Sequence, residues 1–152
     1  MISPKNICFV IFLCLLSIVS VDAQKKSDEQ IDELLLSARK TLVTYPDQTS
    51  LLAKKAYDLS IDSDYEKGQD YGLLLLNYGY FASRKYDQFI TEYPKLEATA
   101  LKHSNYEVLA NAMLLKANTL SALKYYKLST EEINKMIPII KKISSKNAQN
   151  VY

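Results

Sequence analysis

The chain has no tryptophan, one histidine, two cysteines, three glycines and four prolines among its 152 residues. Each shortage removes a class of protein. Few Gly and Pro leave too little turn chemistry for an all-β fold, whose short strands need frequent breaks. One His and two Cys cannot build the usual four-ligand zinc site of those residues. No Gly-rich phosphate loop and no nucleophile elbow occurs. Neither a metal nor a cofactor is expected. Net charge is also small: 19 Lys and Arg against 17 Asp and Glu give +2, which carries no electrostatic footprint for nucleic acid. Apolar residues are plentiful at 48%, and so is tyrosine, with 12 copies. That is material for one folded domain with a real core.

Ile7 to Val19 is uncharged and almost wholly apolar, follows Lys5, and is succeeded by Val21-Asp22-Ala23 and then Gln24. A membrane span wants about 20 apolar residues, whereas a secretory signal wants a core of about 7 to 15 and small residues before the cut. Residues 1–23 therefore read as a signal peptide cleaved between Ala23 and Gln24. The alternative is an uncleaved N-terminal helix anchored in the inner membrane. Cys8 and Cys14 both fall inside this segment, and neither follows the small residue that a lipoprotein signal requires. The mature chain, 24–152, thus has no thiol, no disulfide and, once cleaved, no stable membrane anchor.

Beyond Gln24 the apolar residues recur at helical spacing. Ile31, Leu34, Leu35, Ala38 and Leu42 form a first stripe, ended at Tyr45-Pro46-Asp47 because Pro cannot continue the helical ladder. Leu52, Ala56 and Leu59 form a second. Tyr71 to Phe81 is apolar on nearly all sides, the mark of a helix packed between neighbours. Phe89, Tyr93, Leu96 and Ala100 predict a fourth helix. Met113, Leu114, Ala117 and Leu120 predict a fifth, and Ile133, Met136, Ile137 and Ile140 a sixth. Pro94 and Pro138 fall within the fourth and sixth and are expected to kink them or mark late starts.

Ser63-Asp64-Tyr65-Glu66 and Ser104-Asn105-Tyr106-Glu107 have the pattern of capping boxes. Their serines are 41 residues apart. Ser27 to Gln30 is an earlier match, and Ser145-Lys146-Asn147 follows Ser104 by another 41. At a spacing of 40, Gly72 corresponds to Ala112, Asn77 to Ala117 and Tyr86 to Tyr126. These registers predict an all-α fold of about three antiparallel helix pairs. The units run over about 27–61, 63–103 and 104–144, and a fourth starts at 145–152.

Asn77, Tyr80 and Tyr86, and again Ala117, Leu120 and Tyr126, occupy the small, aromatic or Leu, and Tyr slots of tetratricopeptide repeats, so the chain resembles that family. It departs from the pattern at Phe89 and Ser129, where the family has Ala, and in its period, since the family's is about 34. The resemblance implies helix pairs stacked as a right-handed α-solenoid. An export signal ahead of such repeats is similar to the periplasmic N-terminal sensor regions of bacterial AraC-type regulators and sensor kinases. The resemblance further implies a concave face lined by Tyr71, Leu74, Tyr78 and Phe81 in one unit and Asn111, Leu114, Asn118 and Ser121 in the next. Asn amides there could hold an extended peptide by donating to and accepting from its backbone. The competing reading makes the tyrosines packing residues between repeats.

A terminal repeat needs a polar outer helix as a cap, and the helix carrying Ile137, Ile140 and Ile143 lacks one. A partial gene product, or self-association through the uncapped C-terminal end, is expected. Charge divides unevenly: residues 24–71 hold 7 basic and 10 acidic side chains, and residues 72–152 hold 11 and 6. A basic second half could meet an acidic partner or a membrane surface, but its lysines interleave with apolar residues at helical spacing, as on a solvated face. With no basic-aromatic motif, this exported segment is not expected to bind nucleic acid. His103, at a predicted helix end, is expected to cap that end or face solvent. No two carboxylates stand out as an acid-base pair. The leading expectation is a non-enzymatic module that binds a protein or peptide. The rival is a helical-bundle enzyme or small-ligand-binding protein of the cell envelope.

Overall fold

The computed structural model describes residues 24–149, and the side chains of 24–143. The expected signal segment, including Ala23, lies outside the described residues, as do residues 150–152. The described residues form six helices and no strand: α1 (24–41), α2 (Pro46–Asp62), α3 (Glu66–Ala82), α4 (Tyr86–Lys102), α5 (Tyr106–Ala122) and α6 (Tyr126–Gln149). From α2 onward the starts at 46, 66, 86, 106 and 126 are 20 residues apart, so a helix pair recurs every 40. None of these helices is long and apolar enough to cross a membrane.

One backbone device repeats at four connections. The amides of Tyr65, Lys85, Asn105 and Tyr125 donate to the carbonyls of Ser60, Tyr80, Ala100 and Leu120 at 2.8 to 2.9 Å. The preceding amides of Asp64, Arg84, Ser104 and Lys124 donate three residues back. This pair of bonds is the Schellman arrangement, which needs a left-handed residue after the helix end. Asp64, Arg84, Ser104 and Lys124 supply it with φ of 51, 58, 54 and 68°, although a side chain in that conformation costs about 1 kcal/mol. The next residue's carbonyl then accepts the first bond of the following helix, from Gln69, Phe89, Leu109 and Ser129. Stop and start are thus fused.

That geometry corrects the capping-box reading. Ser63 is the C-cap of α2 and Ser104 is a left-handed connector residue, while the true N-caps are Tyr65 and Asn105. Of these two, only Asn105 caps with its side chain, accepting from the Val108 amide at 3.2 Å. Ser27 lies within α1. Ser145 lies inside α6, which runs unbroken to Gln149, so it caps no helix start there. Pro94 and Pro138 sit inside α4 and α6, neither marking a late start.

Each helix packs on the next from α2 to α6, and α3 also meets α5. The predicted stripe of α4 is buried in full, with Phe89, Tyr93, Leu96 and Ala100 at most 5% exposed. Hydroxyls pin the pairs: Thr49 Oγ1 donates to the Ala38 carbonyl at 3.2 Å, and Ser129 Oγ to the Ala117 carbonyl at 2.8 Å. Ala38 of α1 is therefore the counterpart of Ala117. All three glycines lie on α3. A Cβ on Gly72 would stand 2.9 Å from Tyr57 Cβ and 3.0 Å from its backbone nitrogen. One on Gly79 would stand 2.9 Å from the Pro46 carbonyl. Missing side chains are what let α3 lie against α2.

His103 does close α4, but it does not face solvent. Its side chain is 3% exposed, and Nδ1 lies 2.8 Å from Oδ1 of Asp70, itself 2% exposed. The Asn105 amide donates to the other carboxylate oxygen at 2.8 Å. The α4–α5 connection is thereby tied to α3 by a buried polar triad, which satisfies most of what its burial would otherwise leave unpaired. On α6, by contrast, Ile133, Ile137 and Ile140 are 44, 51 and 46% exposed. Forty residues earlier, Tyr93 and Ala100 hold the counterpart positions of Ile133 and Ile140 and are 5 and 0% exposed.

Candidate functional site

Side chains three and four apart share one face of a helix, and the predicted face of α3 and α5 is divided between surface and core. Tyr71, Tyr78 and Phe81 are half-buried against the core, Leu74 is 6% exposed, and Phe81 stacks on Tyr86 with centroids 6.2 Å apart. On α5, Leu114, Asn118 and Ser121 are exposed. Asn111 is half-buried and its amide donates back to the Glu107 carbonyl at 3.0 Å. Leu74 is thus a core residue, and Asn118 is the freer of the two amides. Gln24, on the described side of the expected cleavage, donates from Nε2 to the Ser63 carbonyl at 2.6 Å, at the end of α2.

The concavity on this face lies between α3 and α1. Asp32, Leu35, Leu36 and Arg39 of α1 face Lys67, Tyr71 and Leu75 of α3 across a cleft of about 360 Å³. Asp32 holds the Lys67 ammonium at 2.8 Å and accepts from the Tyr65 hydroxyl at 3.2 Å. That bond holds the Lys67 pKa above its usual value. Arg39 is exposed and has no ion pair with any described residue. Burial raises the Tyr71 pKa; Glu107 of α5 raises it further, while Arg39 of α1 opposes the shift. One phenol therefore senses charges on all three helices α1, α3 and α5. Burial alone raises Tyr78.

Chemically this surface offers an exposed guanidinium, a neutralised carboxylate, flat phenol rings and apolar floor. The α1 contribution was not among the predicted groove residues. Its signal was the Ala38 register, which sets Asp32, Leu35 and Arg39 against Tyr71, Leu74 and Tyr78 at a spacing of 39. Among the described residues no group of three His, Cys, Asp or Glu could hold a metal. Comparison of the chain with protein-family models, with curated proteins and with solved structures finds no match in any of the three.

Proposed function

We propose that the chain is an exported, non-enzymatic helical-repeat module of the tetratricopeptide type. Its three helix pairs stack as a right-handed solenoid, and the face shared by α1, α3 and α5 receives an extended peptide or protein segment. The cleft between α1 and α3, with Arg39 exposed beside Tyr71, carries this reading. The 40-residue recurrence of helix starts supports the stacking, and the Met1 to Ala23 sequence supports export to the periplasm. In this role the module is the sensing or scaffolding part of a signalling protein, and binding energy comes from aromatic area and backbone hydrogen bonds.

Panning a library of extended peptides on the expressed protein tests it. Selected peptides are expected to lose binding about tenfold or more on Arg39→Ala or Asn118→Ala, both exposed positions, with unchanged thermal stability. Peptides that ignore both substitutions, or no selected peptides at all, would overturn the reading.

A second reading concerns α6. The row containing Ile133 and Ile137 occupies the positions that α5 covers on α4, which favours a second copy of the chain packing there. The expected result is a dimer in sedimentation equilibrium that becomes monomeric with Ile137→Glu. A monomeric parent protein at micromolar concentration would sink it.

A further inference from the structure

We infer that the junction between α4 and α5 is a binding site for a small amphipathic cation, an ammonium group carried on a compact apolar body. The repeat breaks at this junction. The α2–α3 junction is closed because α3 carries Gly68, Gly72 and Gly79. Forty residues on, the equivalent α4–α5 junction has Val108, Ala112 and Thr119 instead, and these helices meet more sparsely. Side chains now stand where the first junction has none. A cavity of about 360 Å³ opens between the helices, lined by Phe89, Tyr93 and Glu97 of α4 and Thr119 and Leu120 of α5, with Leu123 beyond. Its volume is at the lower end of small-molecule sites.

Its charges are not equally committed. Lys116 also lines it, but the ammonium is 3.2 Å from Glu132 and 4.7 Å above the Tyr93 ring. Glu97 is half-buried and receives only a long bond from the Tyr93 hydroxyl, 3.4 Å, with no cation of the described residues against it. A carboxylate at the edge of an apolar, aromatic-walled cavity gains most from a cation whose body fills the cavity. A ligand anion would meet that carboxylate, and the Lys116 ammonium that could receive it is already held by Glu132. The site uses a different pair of helices from the α1–α3 cleft and stands or falls independently of it.

The test is calorimetric titration of the expressed protein with phenethylammonium, 2-phenylethanol and phenylacetate, followed in parallel by methyl NMR shifts of Thr119 and Leu120. Phenethylammonium is expected to bind about tenfold more tightly than the alcohol, the scale of one charge-assisted hydrogen bond, and phenylacetate more weakly still. Glu97→Gln should erase that order while keeping the alcohol's affinity. Leu123→Trp, which fills the cavity, should abolish all three. Equal affinity for the cation and the anion, shifts confined to other methyls, or binding that survives in a folded Leu123→Trp protein would each overturn the proposal.

Discussion

Replacing Gly72 by Ala is expected to destabilise the protein by about 1 to 3 kcal/mol, the usual cost of overfilling a packed interface. Helix propensity alone says the opposite, since Ala is the better helix former by about 1 kcal/mol. Geometry decides between them. The added methyl would meet Tyr57 at Cβ (2.9 Å) and at backbone Cα and N (both 3.0 Å), and a helix backbone cannot rotate aside as a side-chain end can. Gly79→Ala meets the Pro46 carbonyl at 2.9 Å and Ser50, and should be at least as costly. At the counterpart position of α5 the preferred residue is reversed. Ala112→Gly there loses helix propensity and a buried methyl, so it too destabilises. Urea denaturation of the three variants checks this. A Gly72→Ala protein more stable than its parent would show that α2 and α3 are not in close contact.

His103→Leu is expected to cost about 3 kcal/mol, because it leaves the buried Asp70 carboxylate without one of its two partners. Asn105 still donates at 2.8 Å, but a single neutral amide does not replace an imidazole against a group 2% exposed. Changing Asp70 and His103 to Leu together removes both polar groups, and should cost less than the sum of the two single changes. Simple additivity of the two in chemical denaturation would show that they do not act as a pair. The triad also says where the molecule is held together. Asp70 on α3 fixes the connection from α4 to α5, so its loss should loosen the second and third helix pairs relative to each other.

Much of this architecture was legible residue by residue. Phe89, Tyr93, Leu96 and Ala100 read as one stripe and are buried together, because a helix brings its third and fourth neighbours to one side whatever surrounds it. Ile133 and Ile137 read the same way and yet are about half exposed. A stripe records that a face is apolar; it does not record whether another helix lies over it. The connections were harder. Asp64, Arg84, Ser104 and Lys124 hold the left-handed position without Gly or Asn, the usual markers, so the serines nearby looked like caps when the backbone had already turned.

His103 was correctly placed at a helix end, and of the two roles expected there it takes the cap and not the solvent, since its burial depends on a carboxylate 33 residues away. The α1 half of the cleft escaped for a related reason. Its register to α3 is 39 residues rather than 40, and the offset shows through the Thr49 to Ala38 hydrogen bond, the counterpart of Ser129 to Ala117.

Sequence by itself determined the six helical segments, the near-40 recurrence and the class of the fold, since these follow from hydrophobic period and from chain breaks that act within a few residues. Tertiary structure alone decided which faces are covered, where the histidine finds its partner, and why one junction closes while its counterpart opens a cavity. Those outcomes depend on the distance between helix axes. That distance is set by the side chains at the contact, three glycines in one place and Val108, Ala112 and Thr119 in the other.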